Sequence, residues 1–405
     1  MMYDAYQSYA DVSNRLRLAA ASGERLARLW KSTPYASPLR CFEAYCELVS
    51  LAGFTHARPD YGITQLSTHN GAVVDVLEEP VYSTPFCQLL RFTRKDAENL
   101  PRVLLVAPMS GHFATLLRGT IRTLIQDHDV YVTDWINTRD IALSQGVFGM
   151  DEFAQHLIDF LRFLGPPAHV VAVCQPTVAA LAAVSIMAED NDPAQPASLT
   201  LMAGPLDVSV SPTKVNEFAV SKPIDWFRNN VIGTVPRMLP GAGRRVYPGF
   251  LQISGFMSMN AERHANAFID LFRHRVEGEH EKADRIRTFY EEYFAIMDLD
   301  ADFYLQTIET VFHQNALSTG RLLFKGRKVT PRAIKKTFLL TVEGEKDDIC
   351  AVGQTLAAQD MCGGLRPYMK SHHLQAGVGH YGVFNGKRWD NQIYPVLRDH
   401  IQNSL

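Results

Sequence analysis

The sequence predicts an α/β protein: a mostly parallel central sheet flanked by helices and interrupted by a large, mainly helical insertion. Three observations carry this. Short apolar runs at 102–107, 129–133, 169–173, 199–203 and 337–342 alternate with helical text, and such alternation implies parallel strands joined by right-handed crossovers. The last two runs are separated by residues 204–336, too long a stretch for a loop. The 405 residues are 46% hydrophobic and 20% charged, an ordinary globular composition, long enough to bury a large core without disulfide or metal staples.

Taken in order, residues 1–55 read as helical, with apolar residues at three and four spacing through Leu16, Leu18, Leu26, Leu29 and Trp30, broken by Pro34 and Pro38. Residues 1–70 are therefore expected to form a helical arm packing on the core, with an oligomer contact as the alternative. Residues 71–92 hold two β-like apolar runs separated by Glu78, Glu79 and Pro80. The core is expected over 71–203 and 337–405. The insertion 204–336 has its own helical text and an irregular stretch with Pro236, Pro240, Gly241 and Gly243; it reads as a cap over one end of the sheet. Residues 169–188 carry no formal charge and have membrane-spanning length. Their β-branched start, the break at Cys174-Gln175-Pro176 and the alanine-rich remainder read instead as strand, tight turn and helix, so no transmembrane segment is expected.

A net charge of −3 excludes a broadly basic nucleic-acid binder. Six cysteines (41, 46, 87, 174, 350 and 362) form no C-x-x-C pair, which argues against structural zinc and a secreted disulfide scaffold. The N-terminus lacks the basic-then-apolar layout of a signal peptide, so a reduced, cytoplasmic chain is expected. No repeat, heptad or low-complexity tract occurs. Neither G-x-x-x-x-G-K nor G-x-G-x-x-G after a strand is present, so nucleotide phosphates have no ready cradle.

Parallel sheets bind ligands at the carboxyl ends of their strands. After the third run stands Cys174; after the fifth, Glu345-Lys346-Asp347-Asp348; near the C-terminus, Gly379-His380. Nucleophile, acid, histidine is the chain order of α/β-hydrolases. A strand-to-helix turn exposes one side chain, and the helix N-terminus beyond it stabilises a thiolate. The backbone N–H of Gln175 would face an oxyanion, and Met109, after proline 108, would supply a second donor. His380 would take the thiol proton and Asp347 would fix its tautomer. The box reads Ala172-Val173-Cys174-Gln175-Pro176 and lacks both glycines of G-x-S-x-G, so an inert buried cysteine is the competing reading. Asp348 and Glu345 compete with Asp347, since acids after a strand are also turn residues. Ser110 and His112 sit at the right strand end, with a loop role equally open. His372 and His373 read as a strand end, the other cysteines as structural, and Trp226, Tyr290, Tyr293, Phe303 and Tyr304 as cap core. No metal ligand set is read.

The run VCQPTVAALAAVSIMA around Cys174 resembles the nucleophile region of bacterial intracellular polyhydroxybutyrate depolymerases, as do 106–137, 243–252, 341–349 and 379–389. The resemblance runs over nearly the whole chain. It implies an α/β-hydrolase fold with a cysteine nucleophile, acting on amorphous polyester in cytoplasmic polyhydroxyalkanoate granules. Residue by residue, Cys174 matches the family's nucleophile, Asp347 its acid and His380 its base. It requires no cofactor; coenzyme A is an alternative acyl acceptor to water. Polyester synthases are the nearest rival, with a cysteine and an Asp–His–Ile turn where this chain has Asp347-Asp348-Ile349, but their box keeps glycines around the cysteine. A non-catalytic granule protein is the other alternative. The aromatic-rich cap is the surface this reading assigns to the granule.

Overall fold

The computed structural model describes residues 2–29, 36–68 and 71–405; Trp30 and Pro34, on which part of the helical reading rests, lie outside them. The chain opens with α1 (Met2–Leu29) and α2 (Ala36–Leu51). Then come β1 (Gln65–Ser67), β2 (Val73–Ser83), β3 (Cys87–Arg94), β4 (Arg102–Val106), α3 (Arg118–Leu124), β5 (Asp129–Trp135), α4 (Met150–Leu164), β6 (Ala168–Val173), α5 (Thr177–Glu189) and β7 (Ser198–Met202). The insertion holds α6 (Lys214–Val220), α7 (Ile224–Asn230), β8 (Gly233–Thr234), β9 (Arg245–Tyr247), α8 (Gly249–Met259), α9 (Ala261–Glu277), α10 (His280–Tyr293), β10 (Leu299–Asp300), α11 (Ala301–Thr307), β11 (Leu323–Phe324) and β12 (Arg327–Lys328). The core resumes with β13 (Phe338–Gly344), α12 (Ala358–Met361), β14 (Lys370–Gln375) and α13 (Tyr394–Gln402).

One nine-stranded sheet runs β1-β2-β3-β5-β4-β6-β7-β13-β14. From β5 to β14 every neighbour pair is parallel, and β1–β2, β2–β3 and β3–β5 are antiparallel. Every residue of β5, β6 and β7 is buried, as expected of strands covered by helices on both faces. α5 is buried from Thr177 to Ala188, which explains its alanine content: only a thin helix packs this closely on all sides. The segment that imitated a membrane span is thus β6, a turn and α5. Among the described residues no helix is long and apolar enough to cross a membrane.

Three local readings change. Glu78, Glu79 and Pro80 do not separate two strands but lie inside β2. β1 covers β2 only at Val73–Asp75, so the rest of β2 is an edge, where a proline without an N–H is tolerated; the register shifts just after it, between Pro80 and Tyr82. The turn falls at 84–86, where the Thr84 hydroxyl accepts the N–H groups of Phe86 and Cys87. His372 and His373 lie within a full edge strand, β14.

The third concerns the arm. α1 is helical as expected, yet Leu16, Leu18 and Leu26 are 64%, 69% and 59% exposed. The buried side is instead Tyr3, Glu24 and Ala27. The helices rest on the insertion: Glu47 of α2 makes a buried bidentate pair with Arg275 of α9 at 2.6 and 2.7 Å, and Tyr6 stacks on Phe250 of α8 at 3.9 Å. Residues 61–66 reach the sheet core through Tyr61, Ile63 and Leu66. The insertion is itself anchored by the buried Arg244–Asp300 pair, with Arg244 also donating to the carbonyls of Ile141, Ala142 and Gly146 after β5.

Candidate active site

Cys174 follows β6 and precedes α5 by three residues. Its φ of 67° lies in the left-handed region, a strained setting for a side chain with a Cβ that is kept only where surrounding contacts fix it. They do so here. The Cys174 N–H donates to Met202 O at 2.8 Å, and the Cys174 carbonyl accepts from the Thr177 N–H at 3.2 Å and the Thr177 hydroxyl at 2.8 Å. Ala172, two residues before the cysteine, is fully buried. The thiol is partly buried and stands at the positive end of α5.

His380 lies on the loop after β14, 6% exposed. Its Nδ1 is 2.8 Å from Asp347 Oδ2. Phe384 and Tyr381 pack edge-on to the imidazole at 5.7 and 6.0 Å between ring centres. Burial pushes the imidazole down, but the nearby Cys174 and Asp347, the latter hydrogen-bonded to it, drive it well above the usual histidine range. The other oxygen of Asp347 accepts the backbone N–H groups of Ile349 and Cys350 at 2.9 and 2.8 Å. Both carboxylate oxygens are thereby fixed. Asp348 is exposed, and Glu345, also exposed, binds the Gly377 N–H. Asp347, not its two competitors, is the acid on His380.

Among the described residues none accepts a hydrogen bond from the backbone N–H of Gln175 or Met109. Both lie at the ends of adjacent parallel strands, β6 and β4. The side-chain Oε1 of Gln175 is buried with no hydrogen-bond partner among the described residues. His112 is buried against Tyr293 and Phe256, and burial lowers it to about 4; its Nε2 also lacks a partner. Cys350 is buried and lends its N–H to Asp347. Tyr290, Tyr293 and Phe303 are buried in or beneath the insertion, and Trp226 and Tyr304 are half-buried.

The sequence reading missed Glu343 and Thr355, both fully buried, which support the acid loop. Glu343 left a trace: it is the one charged residue in a mostly apolar strand. Thr355 left none.

The strand order and the left-handed turn at Cys174 between β6 and α5 are those of an α/β-hydrolase fold. Residues 203–404, which include Asp347 and His380 but not Cys174, match the family described as PHB de-polymerase C-terminus. A search of curated proteins finds no match. Among solved structures the chain is similar to 2-hydroxy-6-oxo-6-phenylhexa-2,4-dienoate hydrolase from Rhodococcus sp. strain RHA1, at 15% identity over 81% of this chain and 99% of that one, with a TM-score of 0.42. It is also similar to a thermophilic esterase from Thermogutta terrifontis, at 12% identity over 82% and 99%, with a TM-score of 0.41.

Proposed function

We propose that this protein is an intracellular depolymerase that cleaves ester bonds of amorphous poly(3-hydroxybutyrate) through a Cys174–His380–Asp347 triad. The observation that carries the reading is a buried histidine hydrogen-bonded to a buried aspartate and raised by the nearby thiol of Cys174, which is partly accessible and held at a positive φ. The match of residues 203–404 to a polyester depolymerase family supports the substrate.

In this scheme the Cys174 thiolate attacks an ester carbonyl. The oxyanion is held by the backbone N–H groups of Gln175 and Met109. The thioester forms as the C–O bond breaks, and His380 protonates the departing alcohol. Water, with His380 as base, then releases the 3-hydroxyacid; coenzyme A thiol in its place releases an acyl-CoA. Asp347 holds the imidazole in one tautomer and stabilises its cation. The scheme uses no metal and no resident cofactor.

The substrate is a water-insoluble surface, so the enzyme must dock on it. The aromatic cap is the weaker candidate, because Tyr290, Tyr293 and Phe303 are interior. Tyr9, Val12 and Leu16 of α1 and Tyr45 of α2 are more than half exposed, and we assign polymer contact to this face of the arm.

The test is wild-type and Cys174→Ala protein on native amorphous granules, with and without coenzyme A, with soluble products identified by mass. Free 3-hydroxybutyrate or oligomers without coenzyme A, lost in the variant, mean hydrolysis through Cys174. Hydroxybutyryl-CoA formed only with coenzyme A means thiolysis by the same nucleophile. Full turnover by Cys174→Ala contradicts the reading. No product in either condition points to a synthase-like acyltransferase or a non-catalytic granule protein.

A further inference from the structure

Cys174 and Asp347 are carried by different loops, after β6 and after β13. Their alignment through His380 requires those loops to keep a fixed spacing. One buried hydroxyl joins them. Thr355 Oγ1 accepts the Gly204 N–H at 2.8 Å and donates to the Gly204 carbonyl at 3.0 Å. Gly204 lies against the Thr177 side chain so closely that a Cβ there would overlap it, and Thr177 is the residue whose hydroxyl holds the Cys174 carbonyl.

On the other side, Thr355 belongs to the acid loop. Its N–H donates to Glu343 at 2.8 Å, beside those of Leu356 at 2.9 Å and Gly353 at 2.9 and 3.0 Å. Glu343, next to last in β13, is wholly buried, and three backbone N–H groups, with His372 Nε2 3.9 Å away, are what make that burial tolerable. The Thr355 hydroxyl is also 3.9 Å from the thiol of Cys350, whose own N–H caps Asp347. The connection therefore runs Asp347, Cys350, Thr355, Gly204, Thr177, Cys174 without leaving the interior.

We propose that Thr355, held in place by Glu343, is a positioning residue that sets the spacing between the acid loop and the cysteine turn. This rests on the reading of Cys174, His380 and Asp347 as the triad. Thr355→Val keeps the volume and removes the bridge; Thr355→Ser keeps the bridge.

The experiment uses full-length protein, a soluble p-nitrophenyl ester for kcat and KM, and iodoacetamide labelling of Cys174 across about pH 5 to 9. Thr355→Val is expected to lose about 10- to 100-fold in kcat at near-constant KM, with a displaced pH profile of Cys174 labelling. Thr355→Ser is expected to restore both to within about threefold. If Thr355→Val does not fold, Glu343→Gln is read the same way. Should Thr355→Val or Glu343→Gln be less stable but keep the wild-type kcat per folded molecule and the wild-type labelling profile, the positioning role is overturned. Wild-type ester turnover by Cys174→Ala would instead remove the triad reading itself.

Discussion

His380 is enclosed by two negative groups and two aromatic rings, and the consequences are sharpest at this residue. Because charge on Cys174 and Asp347 outweighs burial, the imidazolium persists well above the ordinary histidine range. The alkaline limb of kcat/KM, set by loss of the imidazolium proton, should therefore lie well above about pH 6.5. Asp347→Asn removes one source of the rise and should move that limb to lower pH. It should also cut kcat about 10³- to 10⁴-fold. The Asn Oδ1 can still accept from Ile349 and Cys350, so the loop should keep its shape, but loss of the buried charge partner of His380 should lower the melting temperature. Asp348→Asn, at an exposed neighbour, should change neither; a pH-rate series on the two variants separates them. Cys174 and His380 were legible because each follows a strand in an order the chemistry requires. Asp347 was one of three candidates until its two oxygens were seen to be occupied.

At the scale of elements, the turn between β6 and α5 depends on what lies beneath it. Gly204 gives Thr177 the room to reach the Cys174 carbonyl. Gly204→Ala should therefore cost about 1–3 kcal/mol of stability and lower kcat, and adding Thr177→Ala should recover more of the stability than of the rate. Denaturant unfolding and ester turnover on the single and double variants check this as a cycle. Buried strands such as β6 were legible as apolar runs because both faces are covered. β2 was misdivided because its break in hydrophobicity, Glu78-Glu79-Pro80, marks an edge and a register shift rather than a turn. The helix of α1 was legible, but not its inner face, since periodicity alone does not say which side has a partner.

For the whole molecule, the arm is held by charges that have left water. Glu47→Ala strands Arg275, whose side chain is 7% exposed, with the exposed Asp284 as its remaining ion-pair partner among the described residues, and should cost about 3 kcal/mol or more. If the outer face of α1 meets the polymer, Tyr9, Val12 and Leu16 changed together to Ser should lower granule binding in sedimentation at unchanged soluble-ester kcat; unchanged binding would remove the arm from the docking surface. Acidity acts through the interior. Burial lowers His112, His169 and His400 to about 4 and His56 to about 3. The unfolded chain therefore binds more protons at these sites below about pH 6.5, and stability falls on acidification from there towards pH 4. Burial raises Asp134 and Asp298 to about 6 and Glu292 to about 7, which acts in the opposite sense over much of the same range. His380, raised above the usual range, acts with those acids, so the part of the difference in denaturation midpoint between about pH 7 and about pH 5 that belongs to the lowered histidines is read by removing one of them. His400→Gln should flatten that difference. None of this was legible in the sequence, where a histidine's burial leaves no mark.

The central claim is that ester cleavage passes through an acyl group on Cys174. Acid-quenching the enzyme during turnover of a soluble 3-hydroxybutyrate oligomer and mapping the digested protein by mass tests it directly. The account predicts a hydroxyacyl adduct on the peptide containing Cys174, absent in Cys174→Ala and accumulated when deacylation is slowed. Turnover with the Cys174 peptide unmodified, or an adduct on another residue that persists in Cys174→Ala, would contradict it.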